Sequence, residues 1–189
     1  PLAVDLHGFA IQLLQLFLAA PDYPEAGARN AWLAAAKCMA AFFAKHQRAD
    51  GDLQDIFDDA DSEVNRKPHR ISARAVVCGL WARLGNVTGD AAWTERGRRL
   101  AEFLAPEIGR YEFCNQMLDG IIAPDVECVD GESAYYVLEG LVPLYAATCD
   151  PGVLASCKRA AAFGISWTYF FDLETTHRGL SRGGQCCRM

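Results

Sequence analysis

No stretch of this chain approaches the roughly 20 consecutive apolar residues of a membrane-spanning helix. The most apolar run, Ile11 to Ala20, is broken by Gln12 and Gln15. Basic charge is scarce too: 18 Lys and Arg stand against 24 Asp and Glu, a net charge of −6. A nucleic-acid binder needs cations to displace phosphate counterions, so neither nucleic acid nor membrane is an expected partner. There is no Cys-x-x-Cys, which removes zinc-ribbon and thioredoxin readings. His-Glu-x-x-His and Gly-x-Gly-x-x-Gly are missing, so zinc proteolysis and dinucleotide binding have no support. No metal or cofactor is expected. Alternating strand patterns are almost absent; only Gly120 to Ala123 reads as briefly extended. No signal peptide is visible, and the opening at Pro1 is that of a processed or excised piece.

What is present is a globular composition, 51% hydrophobic and 22% charged over 189 residues. That length buries a real core without disulfide or metal staples and suggests one domain. The eight cysteines are Cys38, Cys78, Cys114, Cys128, Cys149, Cys157, Cys186 and Cys187. Cys38, Cys78 and Cys157 sit in apolar helical patterns and read as small buried hydrophobes. Adjacent Cys186 and Cys187 cannot pair with each other without strain. A reducing, cytoplasmic compartment fits this usage.

The apolar period is helical almost throughout. It predicts helices over about Val4–Ala19, Asn30–His46, Ser72–Leu84 (stopped by Gly85), Ala91–Pro106 (capped by Asp90), Ser133–Thr148 and Pro151–Phe171. Asp150-Pro151 is a strong start signal, an N-cap acceptor followed by a residue with no amide donor. The connections alternate between short and long. Pro21–Arg29, Gly85–Asp90 and Cys149-Asp150 are short, whereas Gln47–Ile71, Tyr111–Glu132 and the tail after Asp172 are long. Long structureless loops in a compact domain are commonly functional.

The alternation is an internal repeat. Asn86 to Trp93 aligns with Ala146 to Val153 at an offset of 60 residues, with Arg98 matching Lys158 and Ala101 matching Ala161 behind it. Ala28 to Phe43 fits more loosely one unit earlier. Each unit is a helical hairpin, and stacking them buries their faces and gathers the long loops on one rim.

Leu144-Tyr145-Ala146-Ala147-Thr148-Cys149-Asp150-Pro151 resembles the aromatic-x-x-Thr-Gly-Asp-Pro turn of the six-hairpin glycosidase superfamily, with Cys149 where glycine is usual. Val87-Thr88-Gly89-Asp90 keeps that glycine. His46-Gln47-Arg48-Ala49-Asp50-Gly51-Asp52 resembles the Gln-x-x-Asp-Gly loop that follows an inner helix in many members, and Asp130-Gly131-Glu132-Ser133 begins another helix in a similar way. The resemblance implies an all-α fold of repeated helical hairpins, part of an (α/α)6 toroid. Three hairpins over residues 1–189 are about half of such a ring. A fragment, or two copies closing the ring, is therefore expected.

Glycoside hydrolysis uses two carboxyl groups across the scissile bond, one protonating the leaving oxygen and one activating water or attacking the sugar. Asp130 and Glu132, opening a helix on the long-loop rim, are the acid/base candidates, with Asp52 or Asp119 assisting. Helix capping and a favourable helix-start charge are their plainer readings. Tyr111 and Trp167 are candidate sugar platforms, and His69 and His177 candidate polar contacts. Arg182, in the glycine-rich Arg178–Gln185, could hold a substrate carboxylate bidentately. Asp50 to Glu63 holds seven carboxylates and no base. It fails the calcium-loop pattern, because counting from Asp59 puts Val64 at the required glycine and Arg70 at the terminal glutamate.

The expected activity is a carbohydrate-active enzyme, a glycoside hydrolase acting on a carbohydrate substrate. Two alternatives stand beside it. One is a non-catalytic α-toroid scaffold or binding module. The other is a different toroid enzyme such as an isoprenoid cyclase, although Asp58-Asp59-Ala60-Asp61 lacks the spacing of its acid and metal motifs. A zinc-dependent lanthionine-type cyclase would need a Cys-His pair, which is absent.

Overall fold

The computed structural model describes residues 4–5, 18, 26–53, 56–57, 71–110 and 132–167. These form α1 (Ala26–His46), α2 (Ile71–Thr88), α3 (Ala91–Gly109), α4 (Glu132–Thr148) and α5 (Pro151–Ser166). Among the described residues, the departure from an all-helical architecture is a two-residue antiparallel ladder, β1 (Val4–Asp5) with β2 (Ile56–Phe57). The helix expected from Val4 therefore does not begin there. Pairing with a distant β-branched and aromatic segment overrides the local helical period. Leu18 is helical and buried; the other residues expected to form that helix, from 6 on, and Gly120–Ala123 lie outside the described residues.

α2 and α4 lie side by side, with α3 packed on α2, α5 on α4, and α3 touching α5. α1 lies against α2. α2 and α4 run in the same direction. Ala75 meets Gly140, and one turn further Cys78 and Leu144 meet across Gly97, where a Cβ would sit 3.2 Å from the Cys78 carbonyl oxygen and 3.3 Å from Leu144. Any side chain at Gly140 would collide with the Ala75 carbonyl, so the two backbones are in direct contact. α2 is enclosed along most of its length. Trp81 is fully buried, and its Nε1 donates to the Ala40 carbonyl at 3.1 Å, tying α1 to α2.

The hairpin turns repeat atom for atom. Thr88 Oγ1 donates to the Leu84 carbonyl (2.7 Å) and accepts from Asp90 N (3.3 Å), and Asp90 Oδ1 accepts from Ala92 N (3.0 Å). Sixty residues later Thr148 Oγ1 donates to Leu144 (2.8 Å) and accepts from Asp150 N (3.2 Å), and Asp150 Oδ1 accepts from Gly152 N (2.7 Å). The residue between Thr and Asp is left-handed in both turns, with φ +70° at Gly89 and +53° at Cys149.

Two expectations change. Gly85 does not stop α2, which runs on to Thr88. Gly85 is buried where a side chain would strike Thr94 of α3, so it serves close packing inside the hairpin, and the true stop is left-handed Gly89. The connection thus shrinks to two residues, like its counterpart at Cys149-Asp150. Cys38 is exposed, whereas Cys78 and Cys157 are buried as expected. Cys38 lies on the face of α1 turned away from the buried Ala36, Ala40 and Phe43. Boundaries shift elsewhere: α1 starts at Ala26, α3 continues past Pro106 to Gly109, and α5 ends at Ser166 with Trp167 as its cap.

Candidate functional site

The best-defined constellation is the segment Gln47–Leu53, which leaves the end of α1 and docks on α2 and α3. It follows α1, a helix with one exposed face, and not one of the side-by-side pair α2 and α4. Its backbone is cross-tied, with Arg48 N donating to the Asp52 carbonyl (2.9 Å) and Gly51 N to the Arg48 carbonyl (3.0 Å). Asp52 N donates to Asp50 Oδ1 at 3.1 Å, a side-chain-closed turn of the kind Asp favours.

Gln47 joins this turn to α3. Its Nε2 donates to the Gly51 carbonyl (3.2 Å) and the Arg96 carbonyl (3.0 Å), while its Oε1 accepts from Arg96 Nη1 (3.3 Å). Arg96 also donates to the Ala44 carbonyl (3.3 Å), and Arg99 Nη2 to the Ala49 carbonyl (2.7 Å). Gly51 has φ +97°, and a Cβ there would come within 2.6 Å of the Arg99 carbonyl oxygen. Only glycine satisfies both conditions. The Gln-x-x-Asp-Gly pattern is thus a docking device: an amide that bridges, an Asp that closes the turn, and a glycine that permits contact.

Asp52 follows, only 6% exposed. Its Oδ1 accepts from Arg74 Nη1 of α2 at 2.6 Å and its Oδ2 from Arg48 Nη1 at 3.1 Å. Arg74 is itself buried, with its guanidinium 5.8 Å from the centre of the Phe103 ring of α3. Each carboxylate oxygen therefore meets a guanidinium. This geometry holds the segment in place and aims neither oxygen at open solvent. Leu53, fully buried, seats the segment in the core.

Glu132 is the first residue of α4, so its backbone opens the helix as expected; its side chain is outside the described residues. Trp167 caps α5, is 48% exposed, and lies 6.0 Å from Phe163 between ring centres. Asp119, Asp130, Tyr111, His69, His177 and Arg182 lie outside the described residues, as does most of the acidic run after Asp52. Among the described residues, no group of three His, Cys, Asp or Glu is placed to hold a metal ion, and no helix is long and apolar enough to cross a membrane.

Reading the sequence did not single out Gln47, Arg74, Arg96 or Arg99 as partners. Arg74 had one signal, a guanidinium inside the apolar Ile71–Leu84 run, which must find an anion if buried. Arg83 of α2 and Glu139 of α4, on neighbouring helices, feel each other's charge. Burial lowers the Arg83 pKa, with the Glu139 charge opposing, and burial raises that of Glu139, with Arg83 opposing. Burial also pushes the Cys78 thiol far up, keeping it neutral and unreactive.

A shallow cleft of about 360 Å³ lies between α1 and the start of α3, lined by Ala41, Ala44, Lys45, Asp90, Trp93 and Arg96 among others. Comparison with family models, curated proteins and solved structures finds no match to this chain.

Proposed function

We propose that the chain is part of an α/α toroid and that it is a carbohydrate-active enzyme, a glycoside hydrolase with paired carboxylates on the rim of long connections. One observation carries the reading. Two consecutive hairpins share one turn geometry, so the start of α2, the start of α4 and the docked Gln47–Leu53 segment belong to the ends joined by long connections. Glu132 opens α4 at that end, and Asp130 precedes it by two residues. Neighbouring carboxyls there would divide into acid and base through their environments, with a sugar as partner and Trp167 as a stacking surface. Asp52 takes a supporting role in this scheme, because both of its oxygens are bound.

The test is hydrolysis of a panel of aryl glycosides and oligosaccharides by the wild type, Asp130→Asn and Glu132→Gln. Removing an acid or base should lower turnover by roughly 10²-fold or more while far-UV circular dichroism stays unchanged. Full turnover in both variants contradicts the assignment. The engaged state of Asp52 favours a second reading, a non-catalytic scaffold whose rim binds a partner; wild type that binds oligosaccharide without cleaving it would support this.

A further inference from the structure

The two intervals of the repeat are joined alike and filled differently. Arg99 Nη2 of α3 donates to the Ala49 carbonyl just past α1 at 2.7 Å, and sixty residues later Arg159 Nη1 of α5 donates to the Gly109 carbonyl of α3 at 3.0 Å. α1 therefore stands to α3 as α3 stands to α5, in one register. α3 and α5 pack directly on each other. Ala101 and Leu104 of α3 and Val153 and Ser156 of α5 are all buried. The residues sixty positions earlier are Ala41, Ala44, Trp93 and Arg96, and each is exposed or half-buried. Trp93 and Arg96 are much larger than Val153 and Ser156, yet the space between α1 and α3 is left as the cleft of about 360 Å³. Bulkier side chains in the same register, with more of their surface in solvent, mark an interval held open.

The lining of that cleft is chemically selective. Trp93 and Arg96 are three residues apart and share a face of α3. Arg96 Nη1 donates to the Ala44 carbonyl and to Gln47 Oε1, both at 3.3 Å, which orients the guanidinium. Among the described residues nothing bonds its Nε or Nη2. That edge of a guanidinium takes a carboxylate through two parallel N–H bonds. Lys45 brings a second cation from α1. Asp90, the acid of the lining, is engaged as the cap of α3, its Oδ1 accepting from Ala92 N at 3.0 Å. Trp93 adds a broad apolar face, and Ala41 and Ala44 line the α1 side with no bulk of their own. The volume lies at the small end of the range of about 300–1,000 Å³ over which proteins hold small molecules, so it suits a single ring with a short acidic arm.

We propose that the α1–α3 cleft binds a small aromatic carboxylate, its carboxylate on the Nε–Nη2 edge of Arg96 beside Lys45 and its ring on the indole of Trp93. An inorganic anion would leave the indole and the two alanines uncovered, and a neutral ring would leave the guanidinium edge unused. The inference goes beyond the glycosidase reading and does not depend on it.

The experiment is calorimetric titration with phenylacetate, its neutral analogue phenylacetamide, and inorganic phosphate, with the Trp93 indole N–H followed by nuclear magnetic resonance in isotope-labelled protein. Phenylacetate should bind saturably and shift that indole signal. Phenylacetamide and phosphate should each bind at least about tenfold more weakly, because each lacks one half of what the cleft offers. Ala41→Trp fills the cleft from an exposed position on α1 and alters no side chain that bonds Arg96, so it should abolish phenylacetate binding while circular dichroism stays unchanged. Arg96→Lys should weaken phenylacetate by about tenfold or more, since an ammonium has no parallel pair of N–H donors. Absence of saturable phenylacetate binding to wild type overturns the proposal. So does phosphate or phenylacetamide binding as tightly as phenylacetate, or undiminished binding by either variant.

Discussion

Replacing Asp52 with alanine tests the anchoring of the Gln47–Leu53 segment. The Asp52 side chain is 8% exposed and that of Arg74 5%, at 2.6 Å, so the substitution takes this carboxylate away from a buried guanidinium. Losing one partner of such a pair costs about 3–5 kcal/mol. For a chain of this size that lowers the melting temperature by about 6–20 °C. Arg48 contacts the same carboxylate, but its side chain is 43% exposed, so Arg48→Ala should cost less than about 1 kcal/mol. Removing both buried charges, in Asp52→Leu with Arg74→Met, should recover much of the loss because neither buried charge remains. Urea unfolding followed by far-UV circular dichroism, fitted at a common slope, measures all three variants against wild type. Equal losses for Arg48→Ala and Asp52→Ala would refute the reasoning, as would a double variant no more stable than Asp52→Ala.

Three further outcomes follow from the same geometry. Cys149 holds a left-handed φ of +53° in the turn where Gly89 holds +70°; Cys149→Gly should stabilise by about 0.5–1 kcal/mol and Gly89→Ala destabilise by about 1 kcal/mol, read by thermal melts. Gly140→Ala drives a Cβ into the α2 backbone and should cost about 2 kcal/mol or more, whereas Gly109→Ala, with open space around it, should be neutral or stabilising in the same melts. Burial raises the Glu139 pKa, so its neutral form favours folding; that contribution is full below the ordinary carboxylate pKa and lost as pH rises through the folded one. Glu139→Gln should therefore gain stability relative to wild type as pH rises from acidic to neutral, and a flat difference across that range would contradict the burial argument.

Local signals in the sequence carried much of this fold. Asp90 and Asp150-Pro151 marked helix starts correctly, because an N-cap needs only its own neighbours. The 60-residue offset located both turns. Gly85 was misleading, since glycine serves both as a helix terminator and as a contact point, and only the position of Thr94 across the hairpin separates the two. Val4–Asp5 misled for a related reason, its ladder partner being far along the chain. Within the candidate site, the turn-forming residues Asp50 and Gly51 were visible in sequence. The guanidiniums of Arg74, Arg96 and Arg99 were not, because their partners are brought close by helix packing and no local spacing encodes that distance.

The central claim, that the long-connection rim binds a carbohydrate, is tested most directly by titrating oligosaccharides into isotope-labelled protein and mapping backbone amide shifts. The account predicts shifts concentrated at Gln47–Leu53, Ile71–Arg74, Glu132–Tyr136 and Trp167, with Gly89–Asp90 and Cys149–Asp150 unmoved. Shifts confined to those two hairpin turns, or none with any sugar tested, would contradict it.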